Sequence, residues 1–289
     1  MYLHILSKLV SESLLSLYPV FVKFINIPLE LQLWSRFLTY ILFSFFFINF
    51  NFVLKNLLST MGLLLSFVTV LHVYFSYKGF QLLESGVAYT LFYTYPIMIL
   101  LLSKGKFNPL FILSLIGVYI LSMNNKETFS NKEEKESDSE IFKQTQVKEN
   151  FKYEGIVAII LAAFTEAIIY FIVRNIKTNN NWNHIFISYF FGAVGLSVLF
   201  FNEIKKVNIR NTLSISILIN GIIGLLGYVL RFYATTRLPT KLYTSLSYFG
   251  VIMSYIYGIF ISKDILSLTK VVGSLCIIIP NLIILLTKN

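Results

Sequence analysis

The sequence predicts an all-α membrane protein: ten transmembrane helices arranged as two inverted five-helix repeats. Three observations carry that expectation. The 289-residue chain is 56% hydrophobic and 17% aromatic but only 13% charged, about half the charged share of a soluble domain. Apolar runs of about 20 residues, enough to cross a hydrocarbon core roughly 30 Å thick, recur from end to end. Finally, Tyr77 and Tyr233 are separated by 156 residues, as are Gly117 and Gly273. Two anchors at one offset favour duplication, and five helices per copy make the second copy enter the membrane from the opposite side.

The elements follow from apolar runs bounded by charged or turn residues. In the first half, helices are expected near 5–26, 29–49, 57–77, 82–103 and 107–123. In the second they are expected near 154–176, 184–202, 213–234, 240–262 and 266–287. The first run holds Lys8, Ser11 and Glu12 and has no small-residue cleavage site, so it reads as a retained helix and not a signal peptide. Short connections make consecutive helices antiparallel, and lipid offers the backbone no partners, so its hydrogen bonds stay inside helices. The domains are therefore residues 1–123, a hydrophilic linker at 124–153, and residues 154–289. The stretch from 124 to 154 holds six lysines against eight acids and few apolar side chains, a composition expected to be disordered.

The net charge of +10 raises the question of nucleic acid, but the basic residues cluster at the ends of apolar runs, where they meet water and headgroups. The partners expected are the lipid bilayer and a small solute, with no nucleic acid. With the N-terminus inside, inner connections hold nine basic residues and outer ones six. That lean puts both termini in the cytoplasm and the linker outside, in a cell (inner) membrane. The single cysteine, Cys276, excludes an intramolecular disulfide and speaks against a metal cluster. No cofactor and no metal ion are expected.

Several polar residues stand out inside apolar runs. A carboxylate at the centre of a membrane helix costs roughly 2.5 to 3.5 kcal/mol, so Glu166 should face a wet cavity or a partner. Glu12 is its rough counterpart in the first helix, and both are candidates for substrate binding and proton coupling. Arg36, two turns into its helix, either snorkels to the interface or holds a substrate carboxylate or phosphate. Arg231 and Lys270, nearer helix ends, read as snorkelling. His72 is either a hydrogen-bonded core residue or a cavity-lining one. Tyr93, Tyr95, Tyr170, Tyr243 and Tyr248 are candidates to stack on or hydrogen-bond a solute. Pro96 should bend the fourth helix, and Gly221, Gly224 and Gly227, spaced by three, should let neighbouring helices approach closely.

Three stretches carry a family resemblance: "LLSLYPVFVKF", "LQLWSRFLTYILF" and the closing pattern "YGIFISKDILSLTKVVGSLCIIIPNLI". With an acid near a connection, Asp264, followed by a helix with an internal glycine, the chain resembles the drug/metabolite transporter superfamily, in its EamA-like ten-helix group. The first copy keeps the glycine but lacks the acid, and the long linker is a second departure. The resemblance implies that helices one to four and six to nine surround a central cavity. It also implies that the fifth and tenth brace the periphery, sometimes at a homodimer contact.

The function expected is secondary active transport of a small polar organic metabolite by alternating access, at a midplane site between the repeats. An amino acid or related zwitterion or amine is favoured, and a nucleotide-type or phosphorylated anion is the alternative. A membrane-embedded enzyme is the rival class, but three histidines, two aspartates and one cysteine fall at no recognisable catalytic spacing. The chain is therefore not expected to be an enzyme.

Overall fold

The computed structural model describes residues 2–24, 27–103, 109–123, 138–206 and 214–286. All regular structure among them is helical. Its radial pattern is that of a chain dissolved in lipid. Large apolar side chains such as Phe46, Leu58, Val198, Phe260 and Leu268 are exposed, while Lys8, Glu12, Arg36, His72, Glu166 and Arg231 are buried.

The first predicted helix is broken. Helix α1 (Tyr2–Leu15) stops and α2 (Tyr18–Phe24) restarts, because Pro19 has no amide hydrogen to give the carbonyl of Leu15. Helix α3 (Leu29–Phe45) is capped by Pro28. A short helix that the apolar pattern did not resolve, α4 (Phe50–Leu57), follows after Asn49, whose side chain accepts from Phe52 N. Ser59 caps α5 (Thr60–Leu82) in the same way. The bend expected at Pro96 is present: the fourth predicted helix divides into α6 (Ser85–Phe92) and α7 (Tyr95–Leu102). Helix α8 (Leu110–Met123) ends the first half.

Helix α9 (Asp138–Asn175) corrects the reading of the linker. Residues 138–153 are helical, extending the apolar helix outward through a stretch rich in Glu, Lys and Gln, all good helix formers. Residues 124–137 lie outside the described residues. Next come α10 (Asn181–Leu199), α11 (Phe201–Lys206) and α12 (Ser214–Ile219). A π-helical turn at Asn220–Leu225 leads into α13 (Leu226–Arg237). The next run divides into α14 (Thr240–Ser247) and α15 (Phe249–Tyr257) and closes in a second π-turn at Gly258–Ser262. Helix α16 (Leu268–Leu286) is last and contains Pro280.

Among the described residues, seven helices are long and apolar enough to cross a membrane: Tyr2–Val22, Thr60–Leu82, Ser85–Leu102, Tyr153–Asn175, Asn181–Leu199, Ile215–Arg237 and Thr240–Ser262. The remaining predicted spans fall on α3, α8 and α16. Helix α3 is 17 residues long and holds Glu30, Gln32 and Arg36, and among the described residues α8 and α16 contribute the shorter apolar helices Ile112–Leu121 and Leu268–Pro280.

Packing joins the two halves throughout. Helix α5 packs against α9, α1 against α13, α3 against α10, and α8 against α16. Gly79 faces Gly155 and Ile159, and His72 faces Ala162, so α5 and α9 run antiparallel. The ends near Leu82 and Asn175 therefore lie at opposite sides of the bundle. Two glycines of the triplet perform the expected role: a Cβ on Gly224 would fall 1.7 Å from Tyr18 Oη, and one on Gly227 2.8 Å from Leu15, whereas one on Gly221 would meet Thr39 at an ordinary 3.6 Å. Gly117 likewise lets α8 approach the Gly273 carbonyl.

Candidate functional site

Two groups of buried polar residues meet at the centre of the bundle. The first is an ion-pair lattice. Glu12 lies one turn after Lys8 on α1, and the two form a buried pair. Arg231, on α13, reaches from one carboxylate to the other. Its Nη2 donates to Glu12 Oε2 at 3.1 Å and its Nη1 to Glu166 Oε1 at 2.8 Å. Tyr93 donates its hydroxyl to Glu12. Lys8 Nζ sits 3.6 Å above the ring of Tyr243 and 3.4 Å from Tyr95 Oη, which donates to Ser247 at 2.7 Å. Two cations and two anions are thus held together away from water, where an unpaired charge would be expensive.

The breaks in the helices put these groups in place. The interruption at Ser16 and Leu17 comes one turn after Glu12, and the interruption at Tyr93 and Thr94 turns both Tyr93 and Tyr95 toward α1.

His72 continues the lattice from α5. Its Nδ1 faces the carbonyl of Ala162 at 3.1 Å, an acceptor only, so Nδ1 carries the hydrogen. In neutral His72, Nε2 then accepts from the Tyr228 hydroxyl at 3.0 Å. The same Nε2 lies 3.4 Å from Glu166 Oε2, a buried carboxylate oxygen with no hydrogen-bond donor. One additional proton here would give Oε2 the hydrogen it lacks.

The second group surrounds Arg36. Its guanidinium carbon lies 4.8 to 5.8 Å from the ring centres of Tyr18, Tyr40, Tyr77, Tyr189 and Tyr228. Nη2 donates to Tyr189 Oη at 3.0 Å. Tyr18 and Tyr77 both donate to Asn220 Oδ1 at 3.0 Å. The π-turn aims that oxygen, and Ser35 and Ser216 accept from the other side of the same amide.

Most of the predicted site residues fall in or beside these groups. Glu12, Glu166, Tyr93, Tyr95, Tyr243 and His72 are in the lattice, and Arg36 is in the tyrosine cage. Tyr248 is buried against Tyr93, with ring centres 6.4 Å apart and a hydroxyl without a partner. Tyr170 lies farther out, donating to Thr240 Oγ1 at 2.9 Å while its ring packs on Tyr243.

Two expectations are corrected. Arg231 does not snorkel: it is 2% exposed, because two carboxylates within its reach hold it more strongly than the interface. Lys270 is also buried, paired with Glu84 and donating to the Ile265 carbonyl at 2.7 Å. Nor do the acids line an open hollow. The open pocket of about 490 Å³ lies at the end of α9, lined by residues that include Arg174, Lys177, Thr236 and Arg237. At the opposite end, Asp264 Oδ2 accepts from Ser85 N at 3.0 Å, beside the Glu84 and Lys270 pair.

Lys8, Tyr228 and Tyr189 were not singled out by sequence. One signal pointed to Tyr228: it follows His72 by 156 residues, the offset that relates Gly117 to Gly273 and Tyr77 to Tyr233.

An all-helical bundle with an apolar exterior and a charged interior defines an integral multi-pass membrane protein. Residues 153–286 match the model of the EamA-like transporter family, a match consistent with the drug/metabolite transporter superfamily. That family points to a membrane transporter of small molecules. No curated protein matches the chain.

Proposed function

We propose that the chain is a secondary carrier of a small polar organic metabolite, working by alternating access between two inverted five-helix halves. The observation that carries this reading is the charged lattice, drawn from both halves and bordered by the helix breaks at Ser16–Leu17 and Tyr93–Thr94. Irregular helices in a membrane are tolerated where they surround a transport site, and such sites lie between inverted repeats.

The packing supports the symmetry. Exchanging each of the ten expected spans with the one five places on turns the pairing of α5 with α9 into that of α13 with α1. It turns the pairing of α5 with α10 into that of the 220–225 turn with α3. The pairs α3 with α10 and α8 with α16 map onto themselves. His72 with Tyr228, and Gly117 with Gly273, are equivalent positions that touch each other, as residues beside a two-fold axis do.

In this reading the bundle is closed at the Glu84 and Asp264 end and opens toward the pocket beside Arg174, the cytoplasmic end by the distribution of basic residues. Glu166, with His72 beside it, takes up a proton at the donorless Oε2, and that proton couples movement to a gradient. The remaining groups of the lattice, with Tyr170 and Tyr248 at its margins, line the path of an amino acid or related zwitterion.

The test is uptake of labelled amino acids into proteoliposomes, with chemical analysis of the recovered solute. Saturable uptake without chemical change, stimulated by an inward proton gradient and losing that stimulation in Glu166→Gln, is expected. Chemical conversion of the solute would replace the carrier with an enzyme, and gradient-dependent uptake unaltered in the variant would remove Glu166 from the coupling.

A further inference from the structure

The cation at the centre of the tyrosine cage lacks what every other cation at the centre of the bundle has. Lys8 pairs with Glu12, and Arg231 pairs with Glu12 and Glu166. Among the described residues, none of the ion pairs includes Arg36. It is 3% exposed, and its Nε has no hydrogen-bond partner. The lattice is charge-balanced in itself, so the cage adds one uncompensated positive charge to the interior.

Tyrosine faces soften that cost but do not neutralise it. Nor can the five hydroxyls supply a counterion, being neutral donors and acceptors. They are already committed to one another, to Asn220, to His72 and to Arg36 itself. A buried guanidinium left with a free N–H and no anion is the half of a recognition pair whose other half arrives from outside. Its planar fork matches an oxyanion, to which it bonds in pairs.

We infer that the Arg36 cage is a subsite for the oxyanion of the transported solute, a carboxylate or a phosphate. The inference rests on the carrier reading and narrows it to a solute class. Tyr18, Tyr40 and Tyr77 come from the first half, and Tyr189 and Tyr228 from the second. An anion bound there contacts both halves at once. Tyr228 also links the cage to the other group, since its hydroxyl is bonded to His72, which neighbours Glu166. The cage is self-consistent with an anion and not with an organic cation, which would add a second positive charge beside Arg36.

The experiment is thermal unfolding of the full chain in detergent, with and without probes at millimolar concentration: acetate, benzoate, inorganic phosphate, the neutral amides acetamide and benzamide, and tetramethylammonium. At least one oxyanion should raise Tm by about 2 to 4 °C while the amides and tetramethylammonium do not. The carboxylates against phosphate then identify which oxyanion is read. Arg36→Gln should abolish the shift and, with no probe present, leave Tm unchanged or higher, because the variant removes an uncompensated charge. A structural cation would instead lower the probe-free Tm on removal.

Absence of any oxyanion effect, a shift that persists in Arg36→Gln, or stabilisation by tetramethylammonium in place of the anions would each overturn the subsite, as would a fall in the probe-free Tm of the variant. Uptake separates this from the carrier reading. Oxyanion binding without uptake leaves the subsite and removes the carrier, and Arg36-independent uptake of an organic cation does the reverse.

Discussion

Arg231 between Glu12 and Glu166 is the residue on which the interior depends most. Replacing it with methionine leaves the two buried carboxylates that bonded it with only Lys8 to balance them. Removing one partner of a buried pair costs about 3 to 5 kcal/mol, so Arg231→Met should lower thermal stability in detergent far more than Glu166→Gln does. Adding Glu166→Gln to Arg231→Met should recover part of the loss, and a double-mutant cycle of Tm values measures that coupling. Strictly additive losses would mean that the two side chains do not share a bond. Sequence alone located both acids, because a carboxylate within an apolar run needs a partner wherever it lies. It missed that Arg231 was that partner: a long stem near a helix end is equally able to reach headgroups, and only the packing of α13 against α1 decides between them. In the sequence Lys8 reads only as a charge that makes the first run unlike a signal peptide, and not as a site residue. Yet it is wholly buried against Glu12 and Tyr243.

Among elements, glycine and proline wrote the most legible signals. Pro96 predicted a bend, and the bend supplies Tyr93 and Tyr95. Pro19 separates α1 from α2, a break the expected single helix over 5–26 did not include. The triplet in the eighth predicted helix foretold close approach, but not that the helix would loosen into a π-turn at Asn220–Leu225, a change that needs Tyr18 and Tyr77 as partners for Asn220. Gly224→Ala should therefore cost stability on the order of 1 to 3 kcal/mol, since its methyl would strike Tyr18 and Tyr40. Gly195→Ala, with nothing within 4 Å of the added carbon, should be neutral or stabilising by up to about 1 kcal/mol, as alanine is the better helix former. Thermal unfolding of the two variants checks the contrast. The start of α9 was illegible for the opposite reason. Its first turns are polar in sequence and carry no hydrophobic pattern to register, and helix-forming residues extend a helix already seeded by the apolar segment.

For the whole molecule, the bundle's closure is asymmetric. One end is tied by Asp264 to Ser85, by Glu84 to Lys270, and by Ser254, whose hydroxyl donates to the Ser85 carbonyl at 3.0 Å. The other carries the open basic pocket. In a Cys276→Ser background, a cysteine at buried Ser254 should resist an impermeant thiol reagent applied from the tied side. Lys270→Gln or Glu84→Gln should raise its labelling several-fold, and equal labelling in all three would mean that these ties do not hold that end shut. The i,i+4 placement of Lys8 and Glu12 has a further consequence, for assembly. Helix α1 carries its own counter-charge, so the pair enters the bilayer electrically neutral before any later segment exists. Glu166 and Arg231 are made some 65 residues apart, so the acid must wait for its cation. During synthesis, the vulnerable interval falls in the second half of the chain, after Glu166 is in place and before α13 arrives.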